Sequence, residues 1–287
     1  MAQTCLTLGL TFAAAALPSN NMTKPLLHFS HANSFPAGTY RQFFEQLSQY
    51  YRIQALDMHA HNPQYPVQDG WAALMDELID ELAARYTEPV ILVGHSLGGM
   101  LSMMAGKQRP DLVRCVVLLD SPVLGGWRAL FWRLLRNSAY VERHTPARFA
   151  ARRRNLWPDV ETVYQHYAAK EVFSAWAPGV LQDYLDSGLA PHPEGVQLRF
   201  TRDNESAVYR SLPHNLGKMA NAYPVPIGFV GGTDSVECRQ AGLGVTRKLV
   251  GAHFRQLPGG HLFPMESPAL AARATREMIA ALLAPKC

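Results

Sequence analysis

Ser96 lies in Gly94-His95-Ser96-Leu97-Gly98, followed by Gly99, and this spacing is the strongest chemical signal in the chain. The apolar run Pro89-Val90-Ile91-Leu92-Val93 precedes it and Met100-Leu101-Ser102-Met103-Met104-Ala105 follows, so the motif sits between a predicted strand and a predicted helix. A G-x-S-x-G pattern acquires meaning in that context. A very tight strand-to-helix turn strains the serine backbone and lifts its hydroxyl above the sheet end, and glycines are needed where a Cβ would collide. A serine hydroxyl is a poor nucleophile at neutral pH. It needs a neutral imidazole to take its proton, and a carboxylate to fix the tautomer and stabilise the imidazolium.

From about Leu26 to its end the chain resembles the α/β-hydrolase superfamily, in which the chain order is serine, acid, histidine. The resemblance implies Ser96 as nucleophile. It puts the acid at Asp234, where Pro226-Ile227-Gly228-Phe229-Val230-Gly231-Gly232-Thr233-Asp234 ends a late core strand. The histidine is His261, in Leu257-Pro258-Gly259-Gly260-His261 after the last strand. Asp120, ending Cys115-Val116-Val117-Leu118-Leu119-Asp120, is the rival acid, because some members carry it after that earlier strand. The short separation of Asp234 from His261 fits one strand-helix-strand unit and favours Asp234. Asp120 would then cap its strand end and bond the following turn. The resemblance also implies an oxyanion hole built from the backbone N–H of Leu97 and of a residue after an early strand. His31-Ala32-Asn33 stands where the family has His-Gly-x, which makes the Asn33 N–H the second donor, with alanine departing from the usual glycine.

Other candidates carry less. Asp57-Met58-His59-Ala60-His61 alternates carboxylate and imidazole, but no further cluster supplies the three protein ligands of a catalytic zinc, so no metal is expected. His95 is read as packing beside the serine. Between Arg128 and Arg154 eight arginines face one acid, Glu142, which reads as a solvated helix face or as attraction to an anionic substrate or surface.

The elements that must position these groups alternate regularly. Strands are predicted at Leu26 to Ser30, Tyr51 to Asp57, Arg114 to Asp120 and Phe254 to Leu257, and helices at Tyr40 to Ser48 and Pro268 to Leu283. Trp71, Leu74, Met75, Leu78, Ile79 and Leu82 recur at helical spacing. Such alternation gives an α/β fold with a mostly parallel central sheet of about six to eight strands, flanked by helices. Residues 22–122 and 218–287 form the expected core and residues 123–217 an inserted helical lid. Helices are expected there around Trp127 to Leu135 and from Thr145-Pro146, Asp159 and Pro178, with Trp132, Trp157 and Trp176 adding bulk. Some of these side chains could line an apolar pocket over Ser96.

Residues 1–21 form an extension. Leu6 to Leu17 is apolar but lacks the basic start of a signal segment, is too short and broken to span a bilayer, and alternates like an edge strand. Met22 stands just ahead of the first core strand. The protein is read as cytoplasmic, with an exported form as the alternative. Apolar content of 48% and charge of 17% indicate a globular protein, and a net charge of +4 without any nucleic-acid motif excludes nucleic acid as a partner. Cys5, Cys115, Cys238 and Cys287 lack metal or redox spacing and read as free thiols.

The expected activity is hydrolysis of a small apolar ester or thioester through an acyl-enzyme, without cofactor or membrane contact. Carbon–carbon hydrolysis or cofactor-free perhydrolysis by the same residues, or a ligand-binding protein on a hydrolase fold, are the alternatives.

Overall fold

The computed structural model describes residues 24–125 and 146–285. The readings for residues 1–21, the stripe Trp127, Leu130, Phe131, Leu134 and Leu135, and Arg128, Arg133, Arg136 and Glu142 lie outside those residues.

Six parallel strands form the central sheet: β1 (Leu26–Ser30), β2 (Arg52–Ala55), β3 (Val90–His95), β4 (Val113–Leu119), β8 (Ile227–Gly232) and β9 (Phe254–Leu257), in the order β2-β1-β3-β4-β8-β9. A parallel sheet is covered on both faces, so its central strands read as continuous apolar runs. Val90, Ile91, Leu92 and Val93 are all fully buried, each worth about 1.5–3 kcal/mol relative to exposure. Alternate side chains feed two separate cores. Leu27, Phe29, Ile91, Val93, Val117 and Val230 pack with α1 (Arg41–Ser48) and the helix Pro268–Leu283. Leu92, Val116, Leu118 and Phe229 pack with α2 (Ala72–Arg85) and α3 (Leu97–Gln108). The predicted stripe on α2 is buried throughout.

The chain between β4 and β8 departs from strict alternation. Helices stand at Pro146–Arg152, Val160–Ala168 and Val180–Gly188. Asp159 caps the second by accepting a 2.7 Å bond from the Thr162 N–H. This segment is not wholly helical: β5 (Leu156–Trp157), β6 (Leu189–His192) and β7 (Gly195–Leu198) form an antiparallel sheet in the order β5-β7-β6. Pro191 and the shortness of these strands hide them from periodicity. Gly195 is required where it stands, with φ of 131° and the Trp157 carbonyl oxygen 2.1 Å from the position a Cβ would take. Trp157 and Trp176 are buried in the same core as Tyr184 and Phe263, so their bulk seats this segment on the sheet. Among the described residues no helix is long and apolar enough to cross a membrane.

Candidate active site

Ser96 joins β3 to α3 with φ 53° and ψ −115°, a left-handed conformation that costs a non-glycine residue of order 1–3 kcal/mol. Close approach explains the surrounding glycines. A Cβ on Gly94 would lie 2.3 Å from the Gly98 carbonyl oxygen, and one on Gly98 would lie 2.0 Å from that of Ser30. The Ser121 hydroxyl secures the turn from β4, 2.9 Å from the Ser96 carbonyl oxygen and 3.0 Å from that of Leu119.

His261 reaches both ways from the loop after β9. Its Nε2 is 3.0 Å from the Ser96 Oγ and its Nδ1 is 2.7 Å from the Asp120 Oδ1. A carboxylate can only accept, so Nδ1 carries the proton and Nε2 is left to take one from the serine. The carboxylate on His261 is that of Asp120, and the structure does not bring Asp234, the acid favoured by sequence separation, to the imidazole. Asp120 is fully buried, at a φ of 40°. Its Oδ2 accepts from the Gly232 N–H at 2.7 Å, and its Oδ1 also accepts from the Ser235 hydroxyl at 2.6 Å. Asp120 does more than cap its strand. Asp234 is exposed, its N–H turned to the Gly259 carbonyl at 2.9 Å, and among the described residues its carboxylate has only its neighbour Thr233, 3.4 Å away.

Burial raises the Asp120 pKa, but the His261, Ser235 and Gly232 hydrogen bonds outweigh it, and the group lies below its ordinary value. Burial of His261 favours its neutral form. The Asp120 hydrogen bond and charge oppose that, with help from Glu237, 3.7 Å from Nδ1, and from Glu266; the net shift is upward. With His261 as the general base of the mechanism proposed below, which works unprotonated, kcat/KM is expected to fall as the medium is acidified through a midpoint above the ordinary 6.5. The pH profile of kcat/KM checks this, and Glu237→Gln should move the midpoint down. An acid limb well below 6.5 would contradict it.

Leu97 is the first residue of α3, where an N–H has no intrahelical acceptor and the helix dipole is positive. Asn33 is buried in the loop after β1. Ala32, in place of the family glycine, is accommodated because the left-handed residue of this loop is Ser34, with φ 75°. Two histidines tie these loops together. The His31 Nδ1–H donates to the Ala32 carbonyl at 2.8 Å, and its Nε2 accepts from the His59 N–H at 2.7 Å. His95 does more than fill space beside the serine. Its Nε2–H donates to the His261 carbonyl at 2.9 Å, and its Nδ1 is 2.6 Å from the Tyr40 hydroxyl. That hydroxyl in turn accepts from the Ala32 N–H at 3.1 Å. Burial foremost, then a neighbouring histidine (His59 for His31, His261 for His95), lowers both pKa values to about 3, so both rings stay neutral. Tyr40, Ser121 and Ser235 carry no motif and could not be singled out from sequence.

The Asp57 to His61 segment is not brought into one ligand set. Asp57 pairs with Arg199, while both ring nitrogens of His61 are engaged, by the His59 carbonyl and the Thr201 N–H. His59 is buried 3.8 Å from Glu77. Among the described residues, the one grouping of His, Cys, Asp or Glu close enough for a metal ion is Asp120, Glu237 and His261, where the aspartate already receives the imidazole N–H. Cys115 and Cys238 are buried free thiols, and burial pushes both up to about 12.

Residues 26–274 match the α/β-hydrolase family model, and the chain belongs to that family. It is 31% identical over 98 residues to 2-(acetamidomethylene)succinate hydrolase of Mesorhizobium japonicum, covering 33% of this chain and 35% of that one. It is also 31% identical over 153 residues to Lipase LipV of Mycobacterium tuberculosis, covering 50% of this chain and 49% of that one. The chain thus spans between a third and a half of the curated relatives it matches. Its fold is similar to that of E-2-(acetamidomethylene)succinate hydrolase, with a TM-score of 0.72 and 23% identity over 90% of this chain and 92% of that one. The thioesterase domain from the curacin biosynthetic pathway gives a TM-score of 0.68 at 17% identity, over 88% and 90% of the two chains.

Proposed function

We propose that the protein is a serine hydrolase that cleaves a small-molecule carboxylic ester or thioester through an acyl-enzyme on Ser96. The observation that carries this reading is the continuous chain from the Ser96 Oγ through His261 to the Asp120 carboxylate, with steps of 3.0 and 2.7 Å. Similarity to a lipase, and in fold to a thioesterase domain, supports the bond type.

In this mechanism the His261 Nε2 takes the Ser96 proton as the oxygen bonds to the acyl carbon. The carbonyl oxygen becomes an oxyanion facing the N–H groups of Leu97 and Asn33, where removing one such donor typically costs about 2.7–4 kcal/mol. Asp120 holds the imidazolium. The carbon–oxygen or carbon–sulfur bond then breaks, and the leaving group departs with the proton from Nε2. A water, activated by the same nitrogen, releases the acid and restores Ser96. No step calls for a cofactor. The insertion, residues 123–217, serves as the lid in this reading, and the soluble core acts in the cytoplasm.

Hydrolysis of p-nitrophenyl acetate, butyrate, octanoate and laurate tests the reading. Turnover is expected, with a chain-length optimum that measures the acyl pocket. Inactivity on all four esters and on acyl thioesters would reject it.

A further inference from the structure

We propose that Glu205 is a positioning residue of the oxyanion loop, holding from the insertion the strained turn that orients the Asn33 N–H. This rests on the role given to Asn33 above, and it adds to the active site a residue that no motif marks.

The loop after β1 is anchored from two sides. On one side Tyr40, in the core, accepts from the Ala32 N–H, and His31, buried in the loop itself, bonds the Ala32 carbonyl and accepts from the His59 N–H. The next two residues are held from the insertion. The Asn33 Nδ2 donates to the Glu205 main-chain carbonyl at 3.2 Å, and the buried Ser34 hydroxyl donates to the Glu205 Oε1. Ser34 has φ 75°, which an L side chain adopts only where its surroundings over-determine it. The Ser34–Glu205 bond supplies that restraint one residue beyond the proposed donor. Glu205 is itself 7% exposed, and it lies on the insertion helix Arg202–Arg210. A buried carboxylate must be paired. Arg153, on the insertion after the helix Pro146–Arg152, places its Nε 2.7 Å from the Glu205 Oε2 and donates from Nη2 to the Phe200 carbonyl at 2.9 Å. A charge-assisted hydrogen bond is stronger and more directional than a neutral one, so a carboxylate suits this task better than an amide. Two segments of the insertion thus converge on one carboxylate whose other oxygen holds the oxyanion loop. The proper shape of that loop depends on the seated insertion.

The test compares wild type, Glu205→Gln, Ser34→Ala, Ser34→Gly and the Ser34→Ala/Glu205→Gln double variant. Kinetics on p-nitrophenyl butyrate, labelling by a fluorophosphonate and melting temperature are the readouts. Glu205→Gln and Ser34→Ala should lower kcat about ten- to hundred-fold with KM within about three-fold, because the loss is confined to the transition state. Labelling should slow in parallel, since the phosphonyl oxygen occupies the same hole as fluoride leaves. Ser34→Gly should keep more activity than Ser34→Ala, because glycine adopts this φ without a tether. The double variant should be little worse than the more damaging single variant, as both changes act on one contact, which glutamine weakens and alanine removes. A Glu205→Gln enzyme with unchanged kcat and labelling rate, effects that multiply in the double variant, or Ser34→Gly no better than Ser34→Ala would overturn the proposal. If Glu205→Gln fails to fold, the order of the two Ser34 variants decides. A wild type that is neither labelled nor active removes the hydrolase reading and this proposal together. An active wild type with an indifferent Glu205 removes this proposal alone.

Discussion

Replacing Asp120 by asparagine is expected to lower kcat by about four orders of magnitude, the scale on which a triad acid acts through its histidine. Asp234→Asn is expected to leave kcat within about two-fold, as an exposed surface carboxylate should. The contrast follows from what each carboxylate touches. Asp120 is buried and accepts the His261 Nδ1–H at 2.7 Å, and an amide there would present a donor or the wrong tautomer. Asp234 is exposed and bonded within its own turn. Asp234→Asn should keep the wild-type melting curve near neutral pH, whereas Asp120→Asn should melt lower because its amide meets three donors in a buried site. The kcat of the folded enzymes on p-nitrophenyl butyrate then decides between them. Equal losses, or a larger loss at Asp234, would refute the Asp120 assignment.

Ser96→Ala should have a still larger effect, lowering kcat by a factor on the order of 10⁴–10⁶. The variant removes the one atom that bonds to the substrate and leaves the oxyanion donors and the imidazole in place. Residual turnover would then reflect binding and oxyanion stabilisation alone. Alanine at φ 53° bears the same backbone strain as serine, so the fold should tolerate the change. Steady-state rates on the ester that wild type prefers, corrected for the uncatalysed reaction, give the ratio.

Much of this architecture was legible because parallel strands buried on both faces leave unbroken apolar runs. Val90 to Val93 and Val116 to Leu119 are examples, and the strands Leu26–Ser30 and Phe254–Leu257 and the helix Pro268–Leu283 stand where the pattern placed them. Ser96 and His261 were legible for a different reason: glycines demanded by close backbone approach surround the first, and a Gly-Gly turn precedes the second. The acid was not. β4 and β8 are neighbours with Leu119 opposite Val230, so both aspartates follow strands that end at the same edge of the sheet and sequence separation cannot rank them. What separates them is local: Asp120 turns inward at φ 40° and receives the Ser235 hydroxyl and the Gly232 N–H, while Asp234 is carried past the strand end. The sheet of the insertion was hidden by strands of two to four residues, one containing Pro191. Glu205 was hidden because its partners, Ser34 and Arg153, are distant in sequence.

The acyl-enzyme itself is the most direct object of measurement. Wild type and Ser96→Ala would be mixed with excess p-nitrophenyl butyrate, quenched in acid within the first turnover and read by intact mass, with the modified peptide then sequenced. The account predicts a butyryl adduct on wild type, located at Ser96, and none on Ser96→Ala. An adduct on another residue, or an equal adduct on the alanine variant, would contradict it.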